Sequence, residues 1–415
     1  MSAPARSGGA GGGRLQPFVA LENPAFRNLW VASLAVMISM WMEATVLGWL
    51  MLELTNSPLQ VALVGFYRSV SLPLLGAFSG LLADRANRKH LLIGARFGAV
   101  VTSSVLLVLI ATGLIRPWSM ALLLLLSGVS FTIDFPARPA YVYDLLGPRG
   151  VANGMSLDTV GFTISRIVGP VLAGTLISLA GNTAGLAYAV VVALYVLALI
   201  LVLTLPALER RAAAQLTVWR SLWEGARYAL SVPMVRAVLA GTVVMNLLAF
   251  PFQQLLPVFA RDVLGGGPVQ LGLLFAAGGI GSLAGALAFA VAPPGRRGGP
   301  FFGAGCLAIL VCLFLFSFSP WFGLSFLLLV LSGLGQAAFS VLQSTLILVS
   351  TSDEMRGRAM GMLTLAIGAG PVGTMLVGYL ASLLTAPPAV AIATGAGLGL
   401  MGVSLVMFPA LRKSR

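Results

Sequence analysis

Seven side chains that can carry charge lie inside long apolar stretches of this chain: Glu43, Arg68, Arg96, Asp134, Arg138, Asp158 and Arg166. Charge in such surroundings is costly, so each group must be paired, hydrogen-bonded or turned toward water. Carboxylates and guanidinium groups so placed can exchange protons or form buried ion pairs. Asp134 and Arg138 are four residues apart, the spacing of one helix face. In the second half the apolar stretches offer amides instead: Asn246, Gln253, Gln254, Gln336 and Gln343. Other chemistries lack their groups. The one histidine, His90, adjoins Arg88 and Lys89 at a loop edge. Cys306 and Cys312 share an apolar run but face different sides of a helix, so they read as packing residues. The sequence has no metal-ligand spacing, no phosphate loop and no nucleophile with a histidine partner, so no metal, no cofactor and no enzyme activity is implied.

The elements that must position these groups follow from composition. The chain has 415 residues, 58% of them hydrophobic and 9% charged. Soluble domains carry about 25% charged residues, so lipid must cover much of this one. Its net charge of +13 does not mark a nucleic-acid binder, because the basic residues are scattered over short loops. A membrane-spanning helix needs about 20 apolar residues. That length fits stretches near 28–53, 60–82, 90–112, 118–142, 151–180, 184–205, 234–260, 269–292, 301–318, 321–349, 359–384 and 388–409. The expected protein is all-α and integral to the membrane. A flexible tail over 1–24 precedes a six-helix bundle over 25–205. A linker over 206–233 leads to a second bundle over 234–411 and a short tail over 412–415. The linker interleaves Arg210, Arg211, Arg220 and Arg227 with Trp219, Leu222 and Trp223. That pattern suits either a helix on the membrane surface or a polar connector.

With the N-terminus in the cytoplasm, 19 of the 25 Lys and Arg fall on the cytoplasmic side, two (Arg116 and Arg261) outside, and four within spans. Both termini are therefore expected in the cytoplasm. An internal repeat supports the division into halves. Gly154-Met155, entering the fifth span, recurs as Gly361-Met362 entering the eleventh, 207 residues later. Two homologous halves around a cavity is a transporter layout.

The loop after the second span reads Gly80-Leu-Leu-Ala-Asp84-Arg85-Ala-Asn-Arg88-Lys89. It resembles the signature loop of the major facilitator superfamily. Asn87 replaces the usual glycine, and asparagine also tolerates a left-handed backbone. The resemblance implies twelve transmembrane helices in two pseudo-symmetric six-helix bundles. It also implies that Asp84 sits near Gly357 and Arg358, and that Arg88 pairs with Asp144, latching the halves. Phe26-Arg-Asn-Leu-Trp30, Trp41-Met-Glu43, Pro136-Ala-Arg138 and Arg166-Ile-Val-Gly169-Pro170 look like the enterobactin-exporter-like branch, the transmembrane secretion effectors. Gly169-Pro170 with Gly174 is similar to the fifth-helix motif of superfamily antiporters, and implies a kink there and export.

From this resemblance the chain is expected to be a secondary transporter of the bacterial inner membrane. Its partners would be a small organic molecule (a drug, siderophore or secondary metabolite), protons and the lipid bilayer, with no nucleic acid, and the chain would act as a monomer. The alternatives are a proton symporter importing a polar metabolite and, from another class, a non-transporting scaffold or enzyme. Helices 1, 4, 7 and 10 would line the cavity, placing Glu43, Asp134, Asn246, Gln253, Gln336 and Gln343 on it. At about 1.5 Å per residue, Glu43 and Arg166 both lie near mid-membrane, so Glu43 has Arg68 or Arg166 as partner. Asp134, Arg138, Asp158 and Arg96 form a second group closer to the cytoplasm. Two readings of these groups stand open: proton-exchanging sites, or permanent ion pairs that fix helix packing.

Overall fold

The computed structural model describes residues 18–208, 218–292 and 297–412, with the side chains of 77, 81, 83–85, 149, 218–223 and 353 excepted. Twelve helices are long and apolar enough to span a membrane. We number them α1 (Pro24–Thr55), α2 (Pro58–Gly76), α3 (Arg88–Ala111), α4 (Pro117–Pro148), α5 (Gly150–Leu179), α6 (Ala184–Leu203), α7 (Pro233–Val263), α8 (Pro268–Val291), α9 (Gly298–Phe316), α10 (Phe322–Val349), α11 (Arg356–Leu384) and α12 (Ala386–Met407). An even number of crossings puts both termini on one face, the termini face; the opposite one is the far face.

Local chemistry sets the helix starts. Pro24, Pro58, Pro117, Pro233 and Pro268 each open a span, where the missing N–H costs nothing and φ is already helical. Asn23, Ser57 and Asn87 accept hydrogen bonds from the first backbone N–H groups of α1, α2 and α3. Asn87 thus differs from the sequence expectation. Its backbone is extended (φ −67°) and it works as an N-cap, so no left-handed residue is needed at that turn. Gly147 does take a left-handed φ of 65°, and this one residue breaks α4 from α5. Through Gly169-Pro170 the dihedrals stay helical, so the expected kink is no break in the helix.

Helices α1–α6 pack as one bundle and α7–α12 as the other. In the second, glycines let backbones meet. A Cβ on Gly281 would strike the Val330 carbonyl, one on Gly285 the Ala337 side chain, and one on Gly305 Ala338 and the Gly335 carbonyl, tying α8 and α9 to α10. Among the described residues, the close contacts between the bundles form a seam on the far half. There α5 crosses α8, with Gly174 against the Pro268 carbonyl and Gly272 against the Pro170 carbonyl. Beside it α2 crosses α11, with Gly378 against Ala62. Both α2 and α11 are interrupted mid-span, at Val70 and at Gly368-Ala369, and Gly368 comes up against Pro73. Below these breaks the inner segment of α2, which runs on past Gly76 as the helix Ser71–Arg85, packs within its own bundle, and that of α11 (Arg356–Ile367) within the other. Among the described residues, the seam is close-packed toward the far face and parted toward the termini face.

Two terminal and linker expectations change. Residues 1–17 lie outside the described residues, but 18–24 are not a loose tail. Val19–Glu22 is a 3-10 turn, and the buried Ala20 donates its N–H to Asn153 Oδ1. Of the linker, 209–217, with Arg210 and Arg211, lies outside the described residues. Val218–Ser231 is a helix docked on α11, where Arg358 pairs with Glu224 at 2.9 Å and Gly225 meets the Arg358 backbone. Residues 413–415 also lie outside the described residues.

The α2–α11 crossing gives a direct test. A side chain at Gly378 would come within 2.4 Å of Ala62, so Gly378→Leu is expected to lower the melting temperature of the detergent-solubilised protein by several degrees. Adding Gly174→Leu, which forces α5 from α8, is expected to lower it further, read by intrinsic tryptophan fluorescence.

Candidate functional site

Glu43 sits halfway along α1 and is 1% exposed. Its carboxylate is fully engaged. Arg68 Nη1 of α2 lies 3.0 Å from Oε2, Tyr188 donates to Oε1 at 2.7 Å and Tyr195 to Oε2 at 3.2 Å. Arg68 Nη1 also donates to the Met40 carbonyl at 3.2 Å. Of the two arginines open to Glu43 from the sequence, the structure selects Arg68. The two tyrosines of α6 escaped sequence reading. They are seven residues apart, two turns on one face, but only the packing of α6 on α1 brings them to the carboxylate.

The second charged group assembles between helices, not along one. Asp134 and Arg138 share a face of α4, yet each reaches away from the other. Arg96 Nη2 of α3 lies 2.9 Å from Asp134 Oδ1, and Arg138 Nη1 lies 2.8 Å from Asp158 Oδ2 of α5. Arg96 Nε, which takes no part in its pair, has no hydrogen-bond partner among the described residues.

Arg166 takes a third course. It is 8% exposed, donates to Gln336 Oε1 of α10 at 2.8 Å, and lies over the Trp41 ring at 5.3 Å. This hydrogen bond crosses the seam. Just above it Gly169 abuts the backbone of Ile38 and Met42 in α1; any larger residue would push α5 off α1.

Two cavities flank the Glu43–Arg68 pair. One, of about 300 Å³, lies on the seam and is lined by Glu43, Arg68, Asn246, Gln253, Gln254 and Phe250 together with the α11 break. Asn246 occupies a wide π-turn, Met245–Ala249, and donates to the Thr242 carbonyl at 2.9 Å. Such turns recur at functional sites, and nothing in the local residue pattern marks this one. The other cavity, of about 460 Å³, is walled by the first bundle alone, and Arg68 and Tyr195 line it as well. Gln343 is buried in α10 and lines neither of these two cavities.

Of the loop residues, Gly80 lies in the inner segment of α2 and Lys89 gives its backbone N–H to Asn87. Arg88 contacts the Asp144 carboxylate and the Ala140 carbonyl. The side chains of Asp84 and Arg85 lie outside the described residues, and Arg358, expected beside Asp84, is paired with Glu224.

Comparisons with known proteins converge on this architecture. The transmembrane secretion effector family matches residues 15–414. The enterobactin exporter EntS of Escherichia coli is 29% identical over 401 residues, covering 93% of this chain and 92% of that protein. A bacterial homologue of the human lysosomal transporter Spinster, solved inward-facing and unoccupied, superposes with a TM-score of 0.69 at 16% identity, covering 94% of this chain and 97% of that one. A POT family transporter solved with a thioalcohol-conjugated peptide gives 0.75 at 10% identity, covering 94% and 97%. These structures share the fold. With a family match running almost end to end, the chain belongs to the transmembrane secretion effectors, a branch of the major facilitator transporters.

Proposed function

We propose that this transporter is a proton-coupled exporter of a small organic molecule, working by alternating access with Glu43 as the proton-exchanging carboxylate. One observation carries the proposal. Glu43 is a mid-membrane carboxylate on the seam, held by an arginine and two tyrosines and lining a cavity that both bundles share. Removing a charge from a buried pair leaves the partner uncompensated, at about 3–5 kcal/mol. Protonating Glu43 would release Arg68 in the same way, so the proton and the packing around the pair are coupled. Asn246, Gln253 and Gln254 supply neutral hydrogen-bonding groups on the opposite wall. The similarity to an enterobactin exporter favours export and an organic substrate of siderophore or drug type.

The distribution of 19 Lys and Arg against two favours cytoplasmic termini in a bacterial inner membrane. The parted side of the seam then faces the cytoplasm, where an exporter loads. For Asp134 and Asp158 a fixed structural role is the competing reading, favoured by their pairing with Arg96 and Arg138.

Two measurements test the proposal. In proteoliposomes with an imposed pH gradient, Glu43→Gln is expected to lose uphill flux by about tenfold or more, roughly the effect of 1.4 kcal/mol on a rate, while keeping downhill exchange. Unchanged uphill flux in that variant would remove Glu43 from coupling. For orientation, a green fluorescent protein fused after residue 415 is expected to fluoresce. Alkaline phosphatase fused after Leu114 is expected to be active; the reverse pattern would invert the topology.

A further inference from the structure

The first-bundle cavity of about 460 Å³ is a feature that coupling at Glu43 leaves unused. It falls within the roughly 300–1,000 Å³ of small-molecule sites. Its lining is of two kinds. Met37, Met40, Met155, Phe131, Phe135 and Phe162 are soft thioethers and ring faces that suit an aromatic guest. Ser33, Arg68, Arg96, Asp134 and Arg138 make up the polar part of the wall.

The polar wall has two properties that restrict what it can hold. First, it is electrically balanced. Arg68 faces Glu43, Arg96 faces Asp134 and Arg138 faces Asp158. A guest with net charge would meet no uncompensated countercharge, and burying it there is costly. Second, it offers hydrogen-bonding groups of both kinds. Ser33, Arg96 and Arg138 can donate, and Ser33 and Asp134 can accept. Donors and acceptors together in one lining suit a guest that carries both.

We propose that this cavity, inside the first bundle and off the seam, binds an aromatic amphiphile that has no net charge and carries adjacent hydrogen-bond donors and acceptors. As the transported substrate, such a guest depends on the transport reading above; as a ligand it does not. Arg68 and Tyr195 line the cavity and also hold Glu43. A guest touching them therefore bears on the carboxylate without entering the seam.

The test is direct binding to the full chain in phosphatidylethanolamine–phosphatidylglycerol nanodiscs. The probes are a fluorescent hydroxynaphthyl benzamide, its carboxylate analogue and its trimethylammonium analogue, read by anisotropy. The neutral probe is expected to bind at least about tenfold tighter than either charged one. Met37→Trp, which fills the cavity, is expected to weaken it by about tenfold or more. Asp134→Asn, which strips Arg96 of its countercharge, is expected to turn preference toward the carboxylate probe. Should that variant fail to fold, Arg96→Gln applies the opposite imbalance and is expected to favour the ammonium probe. Equal binding of all three probes to the unmodified protein, full binding to Met37→Trp, no binding at all, or a preference indifferent to the charge variants would each overturn the proposal. A probe that binds as expected but is never transported supports the site and overturns its role in transport.

Discussion

A guanidinium inside a membrane span is costly unless it is paired or hydrogen-bonded, and the arrangement of this protein follows from how the four arginines within its spans are answered. Three are met by carboxylates from a neighbouring helix: Arg68 by Glu43, Arg96 by Asp134 and Arg138 by Asp158. Each pair joins two helices of the first bundle, α1 with α2, α3 with α4, and α4 with α5. The pairs therefore act as packing constraints whatever else they do. The second bundle solves its packing differently, through glycines that let α8, α9 and α10 touch backbone to backbone. Among the described spans, the first bundle is cross-tied by charge and the second by close backbone contact, so the carboxylates that could exchange a proton at this depth lie in the first.

How far this could be read in advance depended on whether a feature is local. The twelve spans were legible because hydropathy is a property of consecutive residues, and every expected span has its helix. The identities of the buried charges were legible for the same reason. Their pairing was not. Spacing put Asp134 and Arg138 on one face, but across-helix neighbours won, because side chains reaching into the bundle meet other helices before they meet each other. Tyr188 and Tyr195 were invisible in a featureless apolar run until α6 lay against α1. Nor does hydropathy register the interruptions at Val70 and Gly368, since a broken apolar helix reads like a whole one. Asn87 shows a finer limit: its type predicted tolerance of a left-handed turn, while its use is as a cap, a role open to the same side chain.

The two interruptions matter because they fall where the seam changes character. On the far side of Val70 and Gly368 the helices α2 and α11 are packed together; on the termini side each belongs to its own bundle. The backbone stays in the helical region at Val70, Gly368 and Ala369, so the helices are interrupted there rather than cut, at points where the hydrogen-bond ladder is weakest. The seam cavity with Glu43 lies at this level, so the carboxylate sits where relative movement of the bundles is first felt.

Arg166 is the exception among the four arginines, and its exception has a physical sense. It is the one that reaches across the seam, and its partner there is the neutral Gln336 rather than a carboxylate. A carboxylate at that position would form a buried ion pair between the bundles, and separating it would strand two charges at several kcal/mol each. An amide hydrogen bond holds the contact with far less, about 1.5–3 kcal/mol for a bond to a charged group. The Trp41 ring beside the guanidinium comes from the same bundle as Arg166 and stays with it when the seam opens, keeping part of the charge's stabilisation. Strong pairs lie within a bundle and the weak bond lies between bundles. That order lets two rigid bodies part without either losing its internal charge balance.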